Sequence, residues 1–228
     1  TEIYTLSLHD ALPIFDAGTG SLGGARPKAS IRNGDDLLSA KFPHRADDWD
    51  VMAWEKTALD LASAAGIRVP ANQLTRIDGR SVLLLGRFDR LDTRRVPYMS
   101  AMTLLSARDG DVHDYVEIAE AMTELSASPT ADLHELWRRI AFSIAINNTD
   151  DHLRNHGFLH RRGGWHLSPV FDVNPNPDEA TQRQTGVAGA VDRAESLEAL
   201  HGLASDFDLD RDEADRVLDE VTGAVSSW

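Results

Sequence analysis

The stretch AINNTDDHLRNHGFLHRRGGWHLSPVFDVNP, residues 145–175, packs Asp150, Asp151, His152, Asn155 and Asp172 into a short space where the helical pattern ADLHELWRRIAFSIA ends. Asp150 and Asn155 stand five positions apart, and Asp172 follows a turn at RRGG, behind apolar Val170 and Phe171. Phosphoryl transfer uses these residue types: a carboxylate that orients and deprotonates a hydroxyl, then an amide oxygen and a second carboxylate that hold Mg²⁺. The spacing predicts Asp150 as the base and Asn155 and Asp172 as metal ligands. Asp151 is a rival base that lacks the five-residue spacing. Asn147, Asn148 and Thr149 are expected to cap the preceding helix and brace the loop. His152 completes a DxHxxN pattern that could suggest a histidine metal site. Mg²⁺ prefers oxygen, however, so a loop-fixing His152 is favoured. His156 and His160 alternate along a predicted strand and read as surface residues.

Upstream, DAGTGSLGGARPKASIRNGDDLLSAKF places a glycine-rich loop before two short strand-like runs around Asn33-Gly34. Gly18, Gly20 and Gly23 spell GxGxxG, which alone more often marks a flexible loop. A dinucleotide fold would open a helix here, whereas loop followed by hairpin is the order of kinase-like N-lobes. Only Lys28, Lys41 and Lys56 among the 23 basic residues are lysines. Lys28 closes the loop and Lys41 lies in the second strand, where a compact ammonium suits phosphate oxygens; ordinary solvated strand lysines are the plain alternative. DDWDVMAWEKTALDLASAAGI predicts an amphipathic helix of about 17 residues ending near Gly66. Glu55 on it is a candidate ion-pair partner for Lys41, and an exposed Glu55 beside Lys56 fits the sequence equally. Asp78-Gly79 predicts a second hairpin, with Val82 to Leu85 as a buried strand leading to a hinge at Gly86, Arg87 and Phe88. A hinge backbone can offer an N–H and a C=O to adenine. The remainder is helical, with Pro129 between two amphipathic segments.

The chain of 228 residues carries a net charge of −14, so no surface-wide field draws in nucleic acid or anionic membrane. The absence of cysteine excludes disulfides and thiolate metal sites, no apolar run reaches spanning length, and a cytoplasmic location is the default. Residues 1–14, TEIYTLSLHDALPI, resemble the in-frame translation of a short-read sequencing adapter and are set aside from fold reasoning. On that reading the chain is a truncated fragment, with an N-lobe over residues 15–95 and a helical C-lobe over 96–228.

The segments SLGGARPK, KFP, RFDR, NTDDHLRN and FDVNP, in this order, resemble the HipA-like serine/threonine kinases of bacterial toxin–antitoxin systems. The resemblance implies an α+β, two-lobed protein-kinase-like fold, ATP and Mg²⁺ as cofactors, and phosphorylation of a protein hydroxyl, the best-known target in the family being a glutamate–tRNA ligase. It implies a HipB-type antitoxin as partner of the full-length protein, while the charge of −14 and the lack of a spanning run lead to the expectation of no direct nucleic acid binding and no membrane. By motif, Asp150 is the catalytic base, Asn155 and Asp172 hold metal, and Lys41, supported by Glu55, contacts phosphates. Gly23, Gly24, Ala25, Arg26 and Lys28 form the phosphate loop, Gly86, Arg87 and Phe88 the adenine hinge, and His152 joins the ATP-binding set. Ser21 stands where the family carries an autophosphorylated serine. The DxHxxN pattern is shared with small-molecule phosphotransferases of the aminoglycoside-kinase type, and an inactive nucleotide-binding fragment is a third reading.

Overall fold

In the computed structural model, residues 26–33, 36–91 and 94–227 are described. The adapter-like segment, Ser21, Gly23, Gly24 and Ala25 lie outside them. The chain divides into two compact units, one holding the described residues through Thr57 with Pro70–Arg95, the other Ala58–Val69 with the chain from Val96 onward.

The first unit is β-rich. Strands β1 (Lys28–Asn33), β2 (Asp36–Lys41), β3 (Asn72–Ile77) and β4 (Arg80–Gly86) form an antiparallel sheet in the order β1-β2-β4-β3, and β5 (Arg90–Leu91) pairs antiparallel with β6 (Arg94–Arg95). The apolar run of β4 is central and buried from Ser81 through Leu85, as a strand covered on both faces requires. Period-two alternation puts Ala29, Ile31, Ala40, Phe42, Val82 and Leu84 into one core cluster. The opposite parity places Lys41 directly across from Leu83. Asp78 and Gly79 turn the β3–β4 hairpin with φ of 49° and 77°, the left-handed pair that a two-residue turn demands. Helix α1 (Val51–Ala64), whose residues through Thr57 belong to this unit and whose remainder belongs to the second, has 14 residues, shorter than its sequence pattern suggests. Asp50 Oδ1 accepts from the Ala53 N–H at 3.1 Å at its start, and Gly66, at φ 78°, ends it.

The second unit is mainly helical. The capping box of Asp114 and Glu117 starts α3 (Tyr115–Leu125), which follows a one-turn α2 (Ala101–Leu104). Pro129 opens α4 (Pro129–Ala145), whose fixed φ suits a first helical position. Leu133, Leu136, Trp137, Ile140 and Ile144 on α4 are buried, and the helix packs against α3, α5 (Arg193–Gly202) and α6 (Arg211–Ser226). A small antiparallel sheet orders β10 (Gly164–Leu167), β9 (Gly157–Arg161) and β7 (Tyr98–Ser100). Gly157 is required by close approach, since a Cβ there would lie 2.4 Å from the Tyr98 ring. Among the described residues no helix is long and apolar enough to cross a membrane.

Asp132, buried on the first turn of α4, ties this unit together. Its Oδ1 accepts from Arg68 Nη2 at 3.0 Å, and its Oδ2 accepts from Ser126 Oγ at 2.7 Å and the Leu167 N–H at 3.0 Å. Replacing it strands a buried N–H and a hydroxyl. Asp132→Ala is therefore expected to lower unfolding free energy by about 2–4 kcal/mol in chemical denaturation, and Asp132→Asn by less.

Candidate active site

Within the first unit, Lys41 Nζ lies 2.5 Å from Glu55 Oε1, with the two side chains only 5% and 1% exposed. That burial rules out the exposed Glu55 that the sequence equally allowed. Lys28 faces Lys41 across the β1–β2 ladder. Arg26 holds Asp47, its Nη1 at 2.6 Å from Asp47 Oδ1. Burial alone would raise the Asp47 carboxyl, yet the Arg26 bond and the His44 N–H hold it below the usual carboxylate range. The hinge corrects an expectation. The Gly86 N–H donates to Ala71 O at 2.7 Å and the Arg87 N–H to Leu37 O at 3.1 Å, so neither donor remains for adenine. A Cβ at Gly86 would meet Ala71 Cβ at 3.3 Å, which accounts for the glycine. The Arg87 guanidinium forks onto Asp89 at 2.7 and 2.6 Å.

Within the second unit, α4 ends where Asn147 turns to φ 54°, and the polar loop begins. Asn147 Nδ2 donates to the carbonyls of Asn176 and Asp178, and Asn176 Nδ2 donates to Thr149 Oγ1. These side chains therefore stitch the loop to the segment beyond Asp172; they do not cap the helix. The Asp150 carbonyl accepts from Asn155 Nδ2 at 3.1 Å and from the His152 N–H at 3.1 Å. The His152 carbonyl in turn receives the Asn155 N–H at 2.8 Å, so the backbone of His152 fixes the loop. Its ring Nδ1 is buried without a hydrogen-bond partner among the described residues. Asp150 Oδ1 accepts from Gln184 Nε2 at 2.5 Å. Burial chiefly raises the Asp150 carboxyl above its ordinary range; His152 opposes this, and the charges of Asp172 and Asp151 add to it. Asp172 occupies the left-handed region at φ 59°, a conformation that Asp tolerates better than most residues.

Asp151 proves to be a structural carboxylate. It is buried, accepting from Tyr115 Oη at 2.5 Å and Ser143 Oγ at 3.2 Å, with His156 Nε2 at 3.1 Å from its Oδ1. Arg183 donates to Ser143 Oγ at 2.7 Å and to Tyr115 Oη at 3.3 Å, closing the network. Burial alone would raise the Asp151 carboxyl, but His156, Tyr115 and Arg183 together hold it far below its usual range. Burial and the Asp151 charge push the Tyr115 hydroxyl up. His156 corrects the surface expectation. It is 3% exposed, lies just before β9, and packs edge-on to Tyr115 with centroids 5.5 Å apart. His160, by contrast, is exposed. Tyr115, Ser143, Arg183 and Gln184 escaped the sequence reading because no motif or periodicity links them to the loop.

Asn155 and Asp172 offer an amide oxygen and a carboxylate. Asn155 spends its Nδ2 on Asp150, which leaves its oxygen available. Such an oxygen-only pair fits Mg²⁺, which keeps waters and substrate phosphates in its remaining positions. Among the described residues no three histidine or carboxylate side chains form a complete metal cage.

Residues 20–228 match the family of HipA-like C-terminal domains. A curated Haemophilus influenzae protein named "Putative kinase" is 26% identical over 144 residues, 54% of this chain and 42% of that protein. The HipA chain in a Shewanella oneidensis MR-1 complex of HipA, HipB and operator DNA matches with a TM-score of 0.79 and 14% identity, over 100% of this chain and 65% of that one. The Helicobacter pylori proinflammatory kinase CtkA matches with a TM-score of 0.63 and 14% identity, over 92% of this chain and 93% of its own. This chain thus spans less than half of the curated relative and about two thirds of the Shewanella chain. These structures establish the protein-kinase-like fold.

The Asp151 network carries a pH signature. Because its folded pKa lies below that of the unfolded chain, its stabilisation is complete above about pH 4 and is lost as pH falls through the folded value. Asp151→Asn leaves the buried Arg183 charge uncompensated. It should cost about 3–5 kcal/mol at pH 7 and flatten the acid limb of stability measured by denaturation from pH 7 down to 3.

Proposed function

This chain belongs to the family of HipA-like C-terminal domains, and on that premise we propose that it is a serine/threonine protein kinase of the HipA type, transferring the γ-phosphoryl group of ATP to a protein hydroxyl. The observation that carries the reading is the Asp150 carboxylate, exposed on a loop where Asn155 Nδ2 donates to the Asp150 carbonyl and where the charge of Asp172 acts on the same carboxyl. The kinase-like fold and the buried Lys41–Glu55 pair support it from the other unit.

Asp150 accepts the proton of the acceptor hydroxyl as the new O–P bond forms, and the bond between Pγ and the bridging oxygen breaks with its electron pair leaving on ADP. The raised affinity of Asp150 for a proton suits that role. Lys41, held by Glu55, places a fixed positive charge for phosphate oxygens. Asn155 and Asp172 would hold Mg²⁺, which supplies charge neutralisation of the phosphates. With the Gly86 and Arg87 N–H groups engaged, adenine recognition by the hinge falls to its carbonyls and to the stretch beginning at Phe88. Glutamate–tRNA ligase is the first acceptor to test. A HipB-type protein is the proposed partner, and the charge of −14 argues that any DNA in such an assembly is held by that partner. Co-purification with a HipB-type protein tests that partner, and a chain that stays unbound would remove it.

Incubation with labelled ATP, Mg²⁺ and that acceptor tests the reading. Asp150→Asn should keep the fold and lower transfer by about 10²- to 10⁴-fold; near-normal turnover would remove Asp150 from the mechanism. Ser21, which lies outside the described residues, is proposed as an autophosphorylation site. A phosphate there would add about −1.5 to −2 charges to the segment that the family resemblance assigns to the ATP phosphates, and like-charge repulsion would then switch the kinase off. Mass spectrometry after incubation with Mg-ATP should find phosphate on Ser21 together with falling activity, and an active kinase with unmodified Ser21 would sink this self-inhibition.

A further inference from the structure

Gln184 lies outside every motif in the sequence, yet three anchors determine where its side chain points. Its own N–H donates to Thr149 O at 3.0 Å. Before it, Arg183 is 5% exposed and bonded to Ser143 and Tyr115. After it, Thr185 is 1% exposed and its Oγ1 donates to the Asp151 carbonyl at 2.6 Å. Thr185 and Gly186 (β11) also pair in parallel with His113 and Asp114 (β8). Between two buried, anchored neighbours Gln184 itself is exposed, and its Nε2 reaches Asp150 Oδ1 at 2.5 Å. Asp150 Oδ2 makes no hydrogen bond among the described residues.

We propose that Gln184 is a positioning residue for the base: its amide ties down Oδ1 of Asp150 and leaves Oδ2 as the oxygen that receives the acceptor hydroxyl. The inference rests on the kinase reading above and assigns to the segment after Asp172 a part in acceptor geometry. A neutral amide suits the task, because it donates to a carboxylate without adding a charge or a competing base. An exposed hydrogen bond between mobile side chains is worth little; here both ends are pre-organised, Asp150 through its carbonyl bonds and Gln184 through its flanking anchors. Gln184 also lines a polar cavity of about 130 Å³ with His152, His113 and Arg108.

Steady-state kinetics of the full chain with Gln184→Ala and Gln184→Glu, alongside thermal midpoints and Mg-ATP affinity, tests this. Gln184→Ala should lower kcat about 10- to 100-fold with an unchanged KM for ATP, since a misplaced base slows the step without loosening nucleotide. Gln184→Glu, nearly the same shape but with a carboxylate facing Asp150, should fall further. Midpoints and ATP affinity should stay at wild-type values in both. A kcat within about twofold of wild type in Gln184→Ala, or a loss matched by a fall in midpoint, overturns the positioning role while leaving the kinase reading intact. A wild-type chain with no phosphoryl transfer overturns both.

Discussion

A carboxylate removed from water must be surrounded by donors and positive charge, or it takes up a proton. Asp151 meets that condition with groups from α3, α4, the start of β9 and the segment around Arg183. The arrangement of the polar loop follows from this. With Asp151 facing inward, its neighbour Asp150 turns toward solvent, and two adjacent acidic residues acquire opposite characters: one held ionised and structural, the other raised toward protonation. Sequence adjacency thus produces functional division because backbone direction alternates between buried and open surroundings.

In the first unit a different buried charge sets the limits. Desolvating Lys41 and Glu55 costs more than an exposed pair returns, so the pair contributes less to stability than to location. Its ammonium sits on a strand whose cross-strand neighbour is Leu83, within a sheet whose turn and register are fixed by Asp78 and Gly79. A charge mounted this way cannot swing like a surface lysine. Arginine supplies nearly all other positive charge in the chain, and it is used at the fork of Arg87 onto Asp89, where planar geometry matters, and at Arg26, whose Nη1 reaches both oxygens of Asp47.

Local physics was readable in the sequence where local physics governs. The Asp78-Gly79 hairpin, the apolar run of β4 and the Pro129 boundary each depend on neighbours within a few positions. So does the spacing of Asp150 and Asn155, because one short loop closes their hydrogen bond. Misreadings arose where distant partners decide. Alternation made His156 look like a surface residue, but Tyr115 and Asp151 cover it from elsewhere in the chain. The N–H groups of Gly86 and Arg87 looked free until the register brought Ala71 and Leu37 against them. Gln184 carries no local signal, since its role exists only after the chain returns to Thr149.

That return has a consequence for the order in which the molecule folds. Arg183 and Tyr115 are 68 positions apart, and the Thr185–Gly186 ladder pairs with strand residues just before Tyr115. The entropy of closing so long a loop is lost before any of its few hydrogen bonds is gained. Helices α3 and α4, rich in local contacts, have no such barrier. The polar loop at Asp150 therefore acquires its final shape late, when the chain beyond Asp172 docks, and a nascent chain still lacking those residues has its helices in place before Asp150 meets Gln184.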